Sequence, residues 1–211
     1  MSSTELDHPP TETPPGEASE PAAGLLRRIA ELESERDRLV AVVDILIEIS
    51  GAAHYIEILR IVTRRLGQTF GLDRCSIVLI DDQRDARVMA TTDQPGVTNL
   101  RVDLERYPEL RRALQSGETV FIPDVHADPV MRGMGTVLAL RNVRSIVVLP
   151  IQWRSTVIGA IFLRTERGAS PFSEHDVQFC QAIAALTANA LRNAHRKIEG
   201  SRKQEAGSSN S

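Results

Sequence analysis

The sequence predicts an α/β (α+β) protein, a sheet covered by helices on both faces, and three observations carry that prediction. Stretches with helical periodicity stand at both ends of the chain, at about 24–70 and 173–198. Between them lie short apolar runs closed by turn residues, as at Cys75–Ile80, Thr119–Ile122 and Arg144–Ile151. Around Ile77, Ile146 and Ile161 these runs are apolar at consecutive positions, so both faces of the sheet centre should be covered.

The 211 residues have room for one domain with tails. A hydrophobic fraction of 42% with 25% charged residues is the ordinary mix of a globular protein. The net charge of −3 leaves no basic footprint, so nucleic acid and anionic lipid are not expected partners. The first residues, through Pro21, hold neither Lys or Arg nor an apolar run, unlike a secretory signal, and no stretch reaches the ~20 apolar residues of a membrane span. Cys75 and Cys180 are the only two cysteines and stand far apart, which suits a reducing compartment. The expected location is the cytoplasm.

Residues 1–22 are rich in Pro, Glu, Ser and Thr and cannot bury enough apolar surface to offset the cost of ordering, so a disordered acidic tail is expected there. The first helix is expected over 24–50. Leu25, Leu32, Leu39 and Leu46 recur every seven residues, with Ile29 and Val43 at the other seam position. Arg36 interrupts that second position and weakens the seam while favouring one register. A short coiled coil pairing two copies fits this spacing; an amphipathic helix lying on its own domain is the alternative.

A second helix, Tyr55 to Phe70, carries Ile56, Leu59, Val62 and Leu66 on one face and ends at Gly71. Strands then follow at Cys75–Ile80 and Arg87–Thr92. A small helix runs from Pro108 to Gln115, with proline in its first turn and Gly117 after it. Thr119–Ile122 is the next strand, Met131–Leu140 a short helix, and Arg144–Ile151 with Thr156–Arg164 a hairpin. Ser173 can cap the last helix, with Asp176 supplying a carboxylate in its first turn. That helix runs toward Ile198, and a polar disordered tail is expected over 199–211. The long terminal helices should pack together on one face of the sheet and the middle helices on the other.

From about 54 to 195 these residues resemble a GAF domain. The pieces that carry the resemblance are Asp73-Arg74-Cys75-Ser76-Ile77, Val120-Phe121-Ile122-Pro123-Asp124-Val125 with Asp128-Pro129, and Ser145 to Ile151. Val157 to Leu163 and Pro171-Phe172-Ser173-Glu174-His175-Asp176 complete the set. Their order and spacing carry the match, since no single piece is specific. The resemblance implies an antiparallel sheet of five or six strands between a terminal-helix bundle and short middle helices. It also implies a small ligand beneath those middle helices, and dimerisation through flanking helices that hand a ligand-induced shift to an output domain. No kinase, cyclase or helix-turn-helix module fits after Ala194, so the output is expected from a partner protein or from a longer receptor of which this chain is a piece.

Specialised chemistry finds little foothold. Phe172 and Asp176 resemble the end of the cyclic-nucleotide pattern of this family, but Val177 stands where it has Glu, and packing and helix capping explain both residues more simply. Bilin attachment and sulfoxide reduction both use reactive cysteines, whereas Cys75 sits in a strand run and Cys180 in a helix stripe. Of the five histidines only His126 falls in a loop near the expected pocket; with Asp124 and Asp128 it could meet a cation, but a polar turn accounts for all three. Gly133-Met134-Gly135 lacks the length and lysine of a phosphate loop, and Glu174-His175-Asp176 points three ways from a helix start. No metal is expected, and the residues do not identify a cofactor, which is left unknown.

The candidate ligand residues are Tyr107, His126, Met131, Arg132, Met134 and Arg141, a mixture of apolar surface and a few cationic groups. The expected function is a dimeric, non-catalytic GAF-type sensory module binding a small ligand. The alternative is a dimeric scaffold of the same fold whose pocket is filled and which binds a signalling partner protein.

Overall fold

The computed structural model describes residues 20–52, 54–81, 83, 85–131, 142–166 and 172–208, the side chains of 20, 21 and 196–208 excepted. The chain divides into two compact units, Met1–Leu39 and Val40–Ser211. Helix α1 (Glu20–Gly51) supplies the described part of the first unit and the start of the second. It begins before the expected Gly24. Pro21 costs nothing in a first turn, where its missing N–H would be unsatisfied anyway, and Ala22 and Ala23 are strong helix formers.

The second unit is a six-stranded antiparallel sheet between helices. Its strands are β1 (Arg74–Ile80), β2 (Ala86–Thr91), β3 (Leu100–Arg101), β4 (Val120–Ile122), β5 (Val143–Trp153) and β6 (Thr156–Glu166). They lie in the order β3-β2-β1-β6-β5-β4, so β1 and β6 form the middle pair, with Ser76 opposite Phe162 and Leu79 opposite Gly159. The helices are α2 (Tyr55–Phe70), α3 (Pro108–Ser116) and α4 (Glu174–Ser208). The expected helix Met131–Leu140 falls outside the described residues apart from Met131, which closes a 3-10 turn, Pro129–Met131.

Strand alternation sorts the core into two clusters. Cys75, Ile77, Val147, Leu149, Ile161 and Leu163 point to the face covered by α2 and α4, where Phe70 meets Phe172 and Phe179 at 5.8 and 5.5 Å between ring centroids. Val78, Ile146, Val148, Ala160 and Phe162 point the other way, toward Leu110, Ala113 and Leu114 of α3. The continuously apolar centre follows from this double cover.

Local signals end the elements where expected. Gly71 and Gly117 are left-handed and return their N–H groups to Gly67 and Ala113. Ser173 and Asp176 form a reciprocal cap: the Asp176 N–H donates to Ser173 Oγ at 3.2 Å, and Asp176 Oδ2 accepts from the Ser173 N–H at 2.9 Å. The last helix continues past the expected Ile198 to Ser208. Arg202, Lys203, Gln204 and Glu205 are polar, yet unbranched side chains of this kind lose little rotamer freedom in a helix.

The C-terminal end of α1 belongs to the second unit, where Ile45 and Ile49 are buried in the helix-face core. Glu48 accepts from Arg64 of α2 at 2.9 Å and also pairs with Arg65. No helix among the described residues is long and apolar enough to cross a membrane.

The β5–β6 hairpin carries the single tryptophan, Trp153, and the Arg192 guanidinium of α4 lies 3.9 Å from its ring centroid. A cation at that distance over an indole is worth about 1 kcal/mol, and the arginine stem shields the ring from water. Arg192→Ala should move Trp153 emission to longer wavelength and lower stability by about 1 kcal/mol. An unchanged emission maximum would count against the contact.

Candidate ligand site

On the sheet face away from α2 and α4 a cavity of about 260 Å³ opens over β1, β2 and β6, roofed by the 3-10 turn Leu104–Arg106 and the start of α3. Its size is just under that of a drug-sized pocket. The floor is apolar, Val78, Val88 and Phe162 of the sheet, and Leu110 of α3 faces it from the roof. Polar groups sit on one wall because β1 alternates, with Arg74 and Ser76 on the cavity side and Cys75 and Ile77 on the helix side.

That wall is a fixed chain of hydrogen bonds. Arg74 Nε donates to Asp93 Oδ2 at 2.8 Å, Thr91 Oγ1 donates to Asp93 Oδ1 at 2.5 Å, and Ser76 Oγ lies 2.8 Å from Thr91 Oγ1. Burial pushes the Asp93 carboxyl up, but the bonds from Arg74 and Thr91 and the charge of Arg74 outweigh it and hold the group below the usual carboxylate range. Opposite, Asp103 caps the 3-10 turn by accepting from the Glu105 N–H at 3.1 Å. Arg101 lines the rim and is held by Asp85 at 3.0 Å, while Arg106 and Tyr107 complete the roof.

Beside the lining Leu110, Glu109 is buried in the first turn of α3, 2% exposed, with its Oε2 lacking any hydrogen-bond partner. Burial raises its carboxyl from the ordinary 4.5 to about 7, with a bond from its own backbone N–H acting weakly in the other direction.

Of the expected ligand residues that the structure describes, only Tyr107 lines this cavity. His126 is exposed on a turn in which Asp124 Oδ1 accepts from the His126 N–H at 2.9 Å and Asp128 Oδ1 from the Val130 N–H at 2.7 Å. Both carboxylates therefore serve the backbone, as in an Asx turn. Met131 is buried in the core under α3 rather than in the cavity wall. Arg132, Met134 and Arg141 lie outside the described residues. Arg74, Ser76, Thr91 and Arg106 escaped sequence reasoning. The signal that could have found Arg74 and Ser76 is the polar–apolar alternation of Arg74-Cys75-Ser76-Ile77 at the start of a strand otherwise read as an apolar run.

The thiols lie elsewhere. Cys75 and Cys180 are both free and buried in the core between the sheet and the terminal helices. Burial raises both thiols well above their usual range, helped by Cys180 for Cys75 and by Asp176 for Cys180. Among the described residues no three His, Cys, Asp or Glu side chains gather as a metal site.

An antiparallel sheet with terminal helices on one face and a partly polar cavity under short elements on the other defines the class. The chain belongs to the GAF family, whose domain matches residues 54–191. Among solved structures it is similar to the GAF domain of a phosphoenolpyruvate-protein phosphotransferase from Coxiella burnetii, with a TM-score of 0.64 and 21% identity over 77% of this chain and 96% of that one. It is similar too to free methionine-R-sulfoxide reductase from Neisseria meningitidis in complex with its substrate, with a TM-score of 0.63 and 18% identity over 74% of this chain and 89% of that one. The photosensory core module of Stigmatella aurantiaca phytochrome gives a TM-score of 0.64 and 18% identity, over 82% of this chain and 39% of that one. At these identities the likeness is one of fold. No curated protein sequence matches the chain.

Proposed function

We propose that this chain is a cytoplasmic, non-catalytic GAF-type sensory module that binds a small ligand in the cavity over β1 and β2 and works as a homodimer through α1. The carrying observation is the cavity itself, where an apolar floor meets a pre-set polar wall of Arg74, Ser76 and Thr91. A module acting only as a scaffold would gain more stability by filling that space with apolar side chains. Signalling without catalysis fits the two thiols, since a raised pKa suppresses the reactive thiolate and both face away from the cavity. Two free buried cysteines also suit a reducing compartment.

The dimer rests on α1. Leu25, Ile29, Leu32, Leu39, Val43 and Leu46 are all exposed, between 42% and 66%. In the second unit α1 uses a different side, Ile45 and Ile49, to pack on its own domain, which leaves the heptad positions uncovered. A groove of about 530 Å³ runs beside this stripe, between Leu46 and Ile49 of α1 and Leu186 and Ala190 of α4. A parallel, in-register second copy would cover the leucines. It would also set Arg28 against the other copy's Glu33, and Arg36 beside its Glu35.

Native mass spectrometry before and after denaturation tests both halves. A dimer with extra mass released on unfolding is expected; a monomer at micromolar concentration would overturn the pairing. Leu39→Glu places a charge in the seam of each copy and should weaken the dimer about a hundredfold, read by sedimentation.

A further inference from the structure

Resting on the reading of this cavity as a ligand site, we propose that its ligand is a small organic acid with an apolar middle, its anionic group on Arg106 and an N–H or O–H group donating to Ser76 Oγ. The direction of the hydrogen-bond chain sets the second requirement. Asp93 is held ionised and can only accept, so the single hydroxyl proton of Thr91 is committed to it. Ser76 must therefore give its own proton to Thr91 across 2.8 Å. What Ser76, 6% exposed, offers the cavity is a lone pair, and a buried acceptor favours a ligand that brings a donor.

The charge requirement comes from pairing off the lining cations. Arg74 is spent on Asp93 and Arg101 on Asp85, whereas Arg106 makes no ion pair among the described residues. The carboxylates nearest in sequence are engaged elsewhere: Glu105 accepts from Arg111 at 2.8 Å, and Asp103 from the Glu105 backbone N–H. An unpaired guanidinium at a cavity rim is suited to a planar carboxylate, which it can hold with two parallel hydrogen bonds. Between the two polar ends lie Val78, Leu110 and Phe162, which favour an aromatic or aliphatic middle. A cavity of about 260 Å³ limits the whole to a small molecule.

The test is binding of four matched probes to the full chain, followed by shifts of backbone amide resonances in NMR. The probes are 4-hydroxybenzoate, benzoate without the donor, methyl 4-hydroxybenzoate without the charge, and 4-hydroxybenzylamine with the opposite charge. The expected order puts 4-hydroxybenzoate first, with losses of about tenfold for benzoate and for the ester, the size of one charge-assisted or buried hydrogen bond. Arg106→Gln should remove the preference for 4-hydroxybenzoate over its ester, and Ser76→Ala its preference over benzoate. The probe comparison on the unaltered protein keeps the test independent of any folding defect in Ser76→Ala. Tightest binding of the ester or the amine at the same residues would overturn the acid class and leave the cavity as a ligand site. If none of the four moves resonances of the lining residues, both readings fall.

Discussion

Gly159→Ala is expected to destabilise the protein by at least about 3 kcal/mol, and to do so from the centre of the sheet. Gly159 of β6 pairs with Leu79 of β1 on one side and Ile151 of β5 on the other. A Cβ built there would lie 2.3 Å from the Val78 carbonyl oxygen, 2.7 Å from Leu79 Cδ2 and 3.1 Å from Leu79 Cα. The leucine side chain could turn aside, but the other two atoms are backbone, and relief requires β1 and β6 to part. Since β1 and β6 are the middle pair of the sheet, parting them strains the ladder on both sides. The same movement shifts Val78 and Ser76, so ligand affinity should fall with stability. Urea denaturation read at Trp153 measures the loss, with Gly96→Ala as the control, because nothing lies within 4 Å of a Cβ at Gly96. The control should stay within about 0.5 kcal/mol of the unaltered protein. A Gly159→Ala variant less than about 1 kcal/mol below it would show that the middle strands tolerate separation.

Why some of this was legible in the sequence and some was not follows from the range of each interaction. Caps and breaks are set by neighbours: Gly71, Gly117 and the Ser173–Asp176 pair end or start helices through contacts within a turn, so they read off directly. The apolar strand centres were equally plain, because double burial leaves consecutive hydrophobes. Strand β3 was not, since Leu100 and Arg101 are both exposed and only two residues long, with no alternation to detect. The cavity itself was less legible, for a longer-range reason. Its wall joins β1 to β2 and to a turn near 104, residues whose meeting depends on strand register, and among the described residues the loop-centred expectation shares Tyr107 with it. On α1 the heptad spacing identified the exposed stripe, but the use of Ile45 and Ile49 for the helix's own domain became visible only once α2 and α4 were in place.

Glu109 supplies the second large effect, and its sign is opposite to that of a salt-bridged carboxylate. Its carboxyl is held at about 7 in the folded chain against 4.5 ordinarily, because it is 2% exposed and Oε2 has no partner. Below pH 4.5 both folded and unfolded chains keep the proton, and the residue contributes no pH dependence. Between 4.5 and about 7 the folded chain retains a proton that the unfolded chain releases, so stability falls as pH rises. Above about 7 both are ionised and the full cost of a buried, unpartnered charge is present, about 3 kcal/mol at most. The N-terminal turn of α3 favours a negative charge, but that contribution, under about 1 kcal/mol for a typical site, is too small to offset burial. Glu109→Gln keeps the shape and removes the ionisation. It should be more stable than the unaltered protein by about 2–3 kcal/mol at pH 8, little different at pH 4, and should flatten the slope between them. Denaturation midpoints across that range decide it. A variant equally or less stable at pH 8 would mean that Glu109 meets a compensating cation when it ionises. Because Leu110, the next residue, lines the cavity from α3, ligand affinity measured across the same pH range would show whether the cost stays in the fold or reaches the site.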